Sequence, residues 1–167
     1  MPTEAILHTE RLSLHGITPA DVHHLFETKN REEIMAFLGL DENGYQLYLD
    51  MHEQGMTTHR ISMYVFLLRL KDTGQPIGEC GFHTWNATHR RTEVFYSLKR
   101  EEYKQQGYMT EAFRAVIAFG FTALGLHRME ALVDKNNTAS IRLLEKFGFR
   151  FEGTMREDYK VGGMNED

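Results

Sequence analysis

The chain contains 167 residues, which is enough for one domain with a buried core. Hydrophobic residues make up 41% of it and charged residues 26%, as in an ordinary soluble globular protein, and the formal net charge is −5. This acidic balance argues against general nucleic-acid binding, which needs a basic face, but it suits a cationic or amine ligand.

The sequence argues against a disulfide, a metal site and a location in or across a membrane. Cys80 is the only cysteine, so neither an intrachain disulfide nor a cysteine-based zinc site can form. The nine histidines include no His-Glu-x-x-His motif, and we expect no metal. The start of the chain lacks signal-peptide features, and no apolar run approaches the about 20 residues that span a bilayer. We therefore expect a cytoplasmic protein without a membrane partner.

The first third of the chain predicts a strand followed by helices. The strand covers Ile6–Leu14. A helix then begins at Thr18, a typical N-cap residue, with Pro19 at the first helical position. Two further helical regions are expected at about Glu32–Leu38 and Tyr45–Glu53.

The middle of the chain predicts three strands. Met63–Leu70 is a nearly continuous apolar run, which is typical of a central strand. A hairpin turn over Lys71–Pro76 connects it to a second strand at Ile77–Trp85, and Glu93–Leu98 is the third.

From Thr110 the apolar pattern changes to a helical period. The sequence predicts a helix to Leu124, a strand at Arg128–Val133, a helix capped by Asn137, and a last strand at Phe149–Met155. The element order predicts an α/β (α+β) fold, a mixed sheet with helices on its faces, in one domain covering residues 1–167. The apolar residues at helical spacing in the first of these helices are Phe113, Val116, Ile117, Phe121 and Leu124.

A polar turn with one glycine precedes that helix, and we call Lys104–Thr110 the phosphate turn. It follows the strand Glu93–Leu98, so it directs the free N–H groups of a helix N-terminus to one place, where they suit a phosphate. One glycine makes neither a dinucleotide fingerprint nor a P-loop. An ordinary helix start with a turn glycine is the alternative.

A second motif specifies the ligand. Asn137–Phe149 contains the pattern Asn-x-x-Ser followed by Glu-Lys-x-Gly-Phe. Together with Thr9–Leu12, the strand at Glu93 and the turn Gly107–Ala112, it resembles the GNAT superfamily of acetyl-CoA-dependent N-acetyltransferases. Within that superfamily, the chain is similar to the RimJ/RimL type of N-terminal acetyltransferases.

The resemblance implies a mostly antiparallel central sheet with helices on both faces, and acetyl-CoA as co-substrate without a metal. The coenzyme A pyrophosphate would bind the backbone N–H groups of Gln106–Met109 and the Thr110 hydroxyl. The pantetheine arm would lie along Ser97–Lys99, in a cleft where two strands splay apart. The residues expected to contact coenzyme A are Ser97, Leu98, Lys99, Gln105, Gln106, Gly107, Tyr108, Met109, Thr110, Asn137 and Ser140.

Glu93 is the candidate general base. Acetyl transfer to an amine needs a base that accepts a proton from the ammonium, directly or through a water. RimJ/RimL relatives often carry a glutamate at this place, on the strand that borders the cleft. The alternative is a solvated glutamate that pairs with Arg90 or Arg91.

Ser140 is the candidate partner of the leaving thiolate. Many GNAT members use a tyrosine at the position of Leu144, and a leucine cannot donate a proton. RimL-like members have a serine where Ser140 stands, although a serine that merely occupies a first helical turn is the alternative. Asn137 is expected to cap its helix and to contact the pantetheine arm.

Two features depart from the family pattern. Lys104 and Met109 stand where Gln, Arg or Trp and then Gly or Ala are usual, and the extra residue between Leu98 and Gly107 predicts a local bulge. Relatives also close with a further strand, whereas residues 165–167 look too polar for one. An open sheet edge invites pairing, so a homodimer is one expectation.

The amine acceptor is the main open question. The leading prediction is the N-terminal α-amine of a protein such as a ribosomal protein. The alternatives are a small-molecule amine (a polyamine, amino sugar or amino acid) and a non-catalytic module that binds acyl-CoA. The segment that determines the acceptor is expected at about residues 31–59.

Overall fold

A computed structural model describes residues 5–55 and 62–166, so the end of the expected acceptor segment, residues 56–59, lies outside the described residues. The chain divides into two compact units, Met1–Ala131 and Leu132–Asp167. A six-stranded sheet of order β1-β2-β3-β4-β5-β6 forms the first unit. Its strands are β1 Ile6–His8, β2 Leu12–Ile17, β3 Ser62–Leu70, β4 Pro76–Asn86, β5 Arg91–Leu98 and β6 Arg128–Glu130.

The sheet is antiparallel except at one edge. Each neighbouring pair from β1 to β5 is antiparallel, and β5 and β6 are parallel. The parallel pair is possible because a helix connects its two strands. The predicted mixed, mostly antiparallel sheet is therefore confirmed, as is the hairpin between β3 and β4.

Helices cover both faces of this sheet. The helices are α1 Pro19–Thr28, α2 Arg31–Leu38, α3 Glu42–Gln54 and α4 Tyr108–Thr122, with a short 3-10 helix at Glu101–Tyr103. Neighbouring residues of β3 point to opposite faces. Val65 belongs to the core that α1, α2 and α3 cover, while Phe66 packs edge-on against Phe119 of α4.

Local caps define where the first helices begin. Thr18 and Asp21 form a reciprocal capping box at the start of α1, as the sequence indicates for Thr18. Asn30 and Glu33 form the same motif at α2. Because each cap joins residues three positions apart, these boundaries depend on neighbouring residues alone.

Two expectations for the first unit are wrong. The single strand at Ile6–Leu14 is two strands, because the Thr9 hydroxyl accepts a bond from the Leu12 N–H (3.1 Å) and turns the chain. Phe121 is 47% exposed, and Phe119 is buried in its place. The buried stripe of α4 runs through Phe113, Val116 and Gly120, at helical spacings of three and four.

The second unit contains α5 Thr138–Lys146 and a hairpin of β7 Tyr159–Val161 and β8 Met164–Glu166. The expectation that residues 165–167 are too polar for a strand is wrong for Asn165 and Glu166. Gly162 and Gly163 both have positive φ, which a tight hairpin turn requires. This turn allows β7 and β8 to pair although Asn165 and Glu166 are polar.

The predicted strand at Phe149–Met155 is also wrong. Its alternating pattern is correct for a strand, but no ladder forms there, and the Phe151 side chain is 86% exposed. A strand needs a neighbour to satisfy its backbone.

None of the described helices is both long and apolar enough to cross a membrane.

Candidate functional site

The phosphate turn runs into α4, whose N-cap is Gly107, and its first four residues, Lys104–Gly107, are exposed. Gln105 and Gly107 both have left-handed backbone, with φ of 59° and 82°. The first bond within α4 runs from the Glu111 N–H to the Gly107 carbonyl (3.0 Å), and no side chain of the described residues caps this helix. The N–H groups of Tyr108, Met109 and Thr110 therefore precede the first helical bond, as an anion site requires.

The expected bulge before the turn has a specific form. The extra length between Leu98 and Gly107 is accommodated by the 3-10 helix Glu101–Tyr103 and by the left-handed Gln105. The Lys104 ammonium pairs with Glu101, and the Gln106 amide donates to the Glu102 carbonyl. These two side chains thus bond to residues of the 3-10 helix that precedes the turn.

Sequence reasoning missed the contact that joins the turn to the first hairpin. Arg11 donates from its backbone N–H and its Nε to the two carboxylate oxygens of Glu111, at 2.7 and 2.8 Å. The Thr9 hydroxyl also donates to Glu111, at 2.5 Å. Burial raises the pKa of Glu111, but the bonds from Thr9 and Arg11 outweigh this and lower it overall. The segment Thr9–Leu12 contributes to the family resemblance, but no residue in it indicates that Glu111 contacts Arg11.

One edge of β5 has a strand beside it for only part of its length. The parallel pairing with β6 ends at Glu93 and Glu130, whereas β5 continues to Leu98. The Lys99 N–H bonds the Ile77 carbonyl of β4 (2.9 Å), so the alternation of an antiparallel strand directs the Leu98 backbone away from β4. The ladder with β6 therefore covers only the first three residues of β5 and ends at Glu93, where the cleft is expected.

Glu93 is the last residue of β5 that pairs with β6. Its carboxylate is 3.6 Å from the Nε2 of His83, which is the residue opposite it on β4. The Glu93 side chain is 15% exposed and that of His83 is 40% exposed. The alternative partners have other contacts, since Arg91 pairs with Glu130 (3.6 Å) and Arg90 donates to the Gly125 carbonyl (2.6 Å).

The remaining predicted residues of β5 differ in their surroundings. Ser97 is exposed and lies on the same face as Glu93, two alternations along the strand. The Lys99 ammonium donates to the Leu38 carbonyl (2.8 Å). Burial lowers the pKa of Lys99, against the opposing effect of nearby Glu79 and Asp41. The Lys99 ammonium thus donates a hydrogen bond within the protein. Any contact of Lys99 with coenzyme A would involve other atoms of this residue.

Asn137 and Ser140 belong to the second unit. The Asn137 side chain accepts a bond from the Ser140 N–H (3.1 Å), which confirms the predicted cap of α5. Ser140 is half-buried in the first turn of this helix. The serine hydroxyl is not needed for this cap, because the backbone N–H of Ser140 makes it.

Cys80 is fully buried in β4, and we expect its thiol to be unreactive in the folded protein. Burial first, and then the charge of Glu79, raise the pKa of Cys80, so the reactive thiolate is disfavoured. A colorimetric disulfide reagent at neutral pH should label the native chain negligibly and should find one thiol per chain in denaturant. Prompt labelling of the native chain would contradict the burial.

No cluster of three or more metal-binding side chains occurs within residues 5–55 and 62–166. The candidate functional features of the first unit are the phosphate turn, the part of β5 beyond its pairing with β6, and the Glu93–His83 pair.

Comparison with known proteins shows the family of the chain. The family model for the acetyltransferase (GNAT) domain matches residues 11–150. The uncharacterized N-acetyltransferase YoaA of Bacillus subtilis is 32% identical over 170 residues, which cover 97% of this chain and 92% of the relative. The spermidine N(1)-acetyltransferase of Escherichia coli K12 is 25% identical over 154 residues, or 92% of this chain and 80% of the relative.

A solved structure supports the fold. A candidate ribosomal-protein-serine acetyltransferase from Vibrio cholerae superimposes with a TM-score of 0.66 and 22% identity, covering 99% of this chain and 95% of that chain. The chain therefore belongs to the GNAT acetyltransferase family, and it is an acetyl-CoA-dependent N-acetyltransferase that acts on an amine.

Proposed function

We propose that the acceptor is the N-terminal α-amine of a protein, of the ribosomal-protein type. The similarity of Thr9–Leu12, the Glu93 strand, Gly107–Ala112 and Asn137–Phe149 to RimJ/RimL enzymes supports this acceptor. The observation that carries the chemistry is the largely buried Glu93 side chain at the end of the β5–β6 ladder.

The phosphate turn binds the donor in this proposal. The pyrophosphate of acetyl-CoA accepts bonds from the backbone N–H groups of Gln106–Met109 and from the Thr110 hydroxyl, with the positive end of the α4 dipole behind them. The turn fits this role because its first four residues are exposed and no side chain of the described residues caps α4. Pantetheine follows the edge of Ser97–Lys99 where the β6 pairing has ended.

Glu93 removes the proton that prevents attack. Its carboxylate accepts a proton from the substrate ammonium, directly or through a water, and the freed amine attacks the thioester carbonyl carbon. The C–S bond then breaks and an amide forms. The thiolate takes the second proton from the nitrogen. The proton that Glu93 accepted is therefore the one released in each turnover. His83, which is more exposed than Glu93, offers that proton a route to solvent.

Ser140 hydrogen-bonds the sulfur as it leaves, and its removal provides a test. Replacing Ser140 by alanine is expected to lower kcat roughly tenfold while the affinity for acetyl-CoA changes little, since one bond to a developing charge is lost. Steady-state kinetics and calorimetry measure the two quantities. The matched control is Thr138→Ala, which removes another hydroxyl from the first turn of α5. An equal loss of affinity and turnover would limit Ser140 to a structural role.

A polyamine is the second candidate acceptor. The similarity to the spermidine enzyme over 92% of this chain favours it, and the net charge of −5 suits a polycation. A protein N-terminus carries a single ammonium, whereas spermidine carries several. Salt should therefore weaken the binding of spermidine more than that of a peptide.

The deciding experiment has two stages. Isothermal titration with acetyl-CoA is expected to show binding, and an absence of binding at high micromolar ligand would overturn the enzyme assignment. Release of free coenzyme A is then followed with peptides of ribosomal-protein N-termini, spermidine, amino sugars and amino acids. A preference for the peptides supports the proposal, and a preference for spermidine replaces it. Binding without turnover on any amine would indicate a non-catalytic module.

A further inference from the structure

Arg11 contacts the phosphate turn through several groups at once. Besides its two bonds to Glu111, its Nη1 donates to the Gln106 carbonyl (3.0 Å), and its guanidinium carbon lies 4.2 Å from the centre of the Tyr108 ring. A Cβ added at Gly107 would lie 3.4 Å from Arg11 Nη2. One side chain thus borders most of the segment from Gln106 to Glu111.

The turn needs such support because its own conformation is unfavourable. A non-glycine residue in left-handed backbone, such as Gln105, costs on the order of 1 kcal/mol. No side chain of the described residues caps α4, whereas α1 and α2 have capping boxes. The bonds from Arg11 to the Gln106 carbonyl and the Glu111 carboxylate hold the chain on both sides of Gly107.

Arg11 also changes the charge that an anion would meet. Glu111 lies in the first turn of α4, close to the N–H groups that suit a phosphate, and its unpaired carboxylate would repel one. Glu111 Oε1 accepts bonds from the Thr9 hydroxyl and the Arg11 N–H, Oε2 accepts from Arg11 Nε, and the guanidinium balances the negative charge. Arg11 itself is 40% exposed, so solvent weakens its long-range effect but leaves these direct contacts.

We propose that Arg11 is a positioning residue that acts through Glu111 and Gln106 to set the affinity for the pyrophosphate of acetyl-CoA. The inference rests on the proposed use of the phosphate turn. It predicts an effect on the donor and none on the acceptor, because the Arg11 side-chain contacts described above are with the phosphate turn and with Glu111.

The test compares donors with and without phosphates. For Arg11→Gln, the KM for acetyl-CoA is expected to rise roughly tenfold, since a charge-assisted contact network is lost, while kcat and the KM for the amine change little. With acetyl-pantetheine, which lacks the pyrophosphate, the variant and the wild type should have equal kcat/KM. A merely structural role would lower kcat/KM equally for both donors and would overturn the proposal.

Conservative variants identify the partner. Arg11→Lys retains the charge but not the fork, so its KM for acetyl-CoA should be intermediate, and this variant replaces Arg11→Gln if the latter does not fold. In a double-mutant cycle with Glu111→Gln, the two changes should be clearly non-additive in coenzyme A affinity. Additive effects would contradict action through Glu111.

A matched control separates this site from arginine loss in general. Arg31 makes the same two kinds of contact, an ion pair with Glu42 and a guanidinium over the Tyr45 ring (4.8 Å). Arg31→Gln should leave coenzyme A affinity unchanged in calorimetry. If wild type binds coenzyme A and Arg11→Gln binds it equally well, only the role of Arg11 fails. If wild type does not bind, the donor site itself fails.

Discussion

Replacing Glu93 by glutamine is expected to lower kcat by about a hundredfold or more, because a general base contributes roughly two to four orders of magnitude to such a reaction. The amide retains the size and polarity of the side chain but cannot accept the ammonium proton. The rising limb of the pH–rate profile should flatten, while acetyl-CoA affinity stays the same. Rates measured across a pH series, with coenzyme A release as the readout, test both effects.

Glu130 provides the control for this experiment. It lies opposite Glu93 in the register of β5 and β6, but it is 33% exposed and contacts Arg91 and Arg128. Glu130→Gln should retain the rising limb and most of the activity. If the limb disappears in Glu130→Gln and survives in Glu93→Gln, Glu93 is not the base.

Phe113→Ala should produce the largest loss of stability, about 3–5 kcal/mol of the free energy of unfolding, because a fully buried phenyl ring leaves a cavity. Phe113 packs edge-on against Tyr96 of β5, with ring centres 5.0 Å apart. Urea unfolding followed by the fluorescence of Trp85, the only tryptophan, reports on the first unit.

The same helix contains the matched control, since Phe121→Ala removes an identical side chain that is 47% exposed. Its effect should stay within about 0.5 kcal/mol. Similar losses for the two variants would mean that α4 does not bury the face described above. The comparison also tests the sequence pattern, which placed Phe121 with Phe113 on the apolar stripe.

The features that sequence reasoning predicted correctly depend on short-range physics. The Thr18 and Asn137 caps join residues three positions apart, and the β3–β4 hairpin is indicated by its turn residues between two apolar runs. Gly107 was also identified at the start of α4, because a polar turn between a strand and an amphipathic helix has few alternatives.

The features that were missed depend on distant residues. The His83–Glu93 pair follows from the register of β4 and β5, which the amino-acid pattern does not specify. The Arg11–Glu111 contact joins residues 100 positions apart. Phe151 has a strand-like pattern without a ladder, since strand formation depends on a partner as well as on composition. Site residues whose roles require such partners were therefore only partly predictable.

The separation of 100 residues between Arg11 and Glu111 has a consequence for how the protein folds. Contacts of this range close late, because the entropy of a large loop must be overcome before they form. On the ribosome, the first hairpin emerges long before α4 has been synthesised, so the donor-binding turn cannot assemble until Glu111 has left the exit tunnel. Coenzyme A binding during refolding should consequently appear no earlier than the Trp85 fluorescence change.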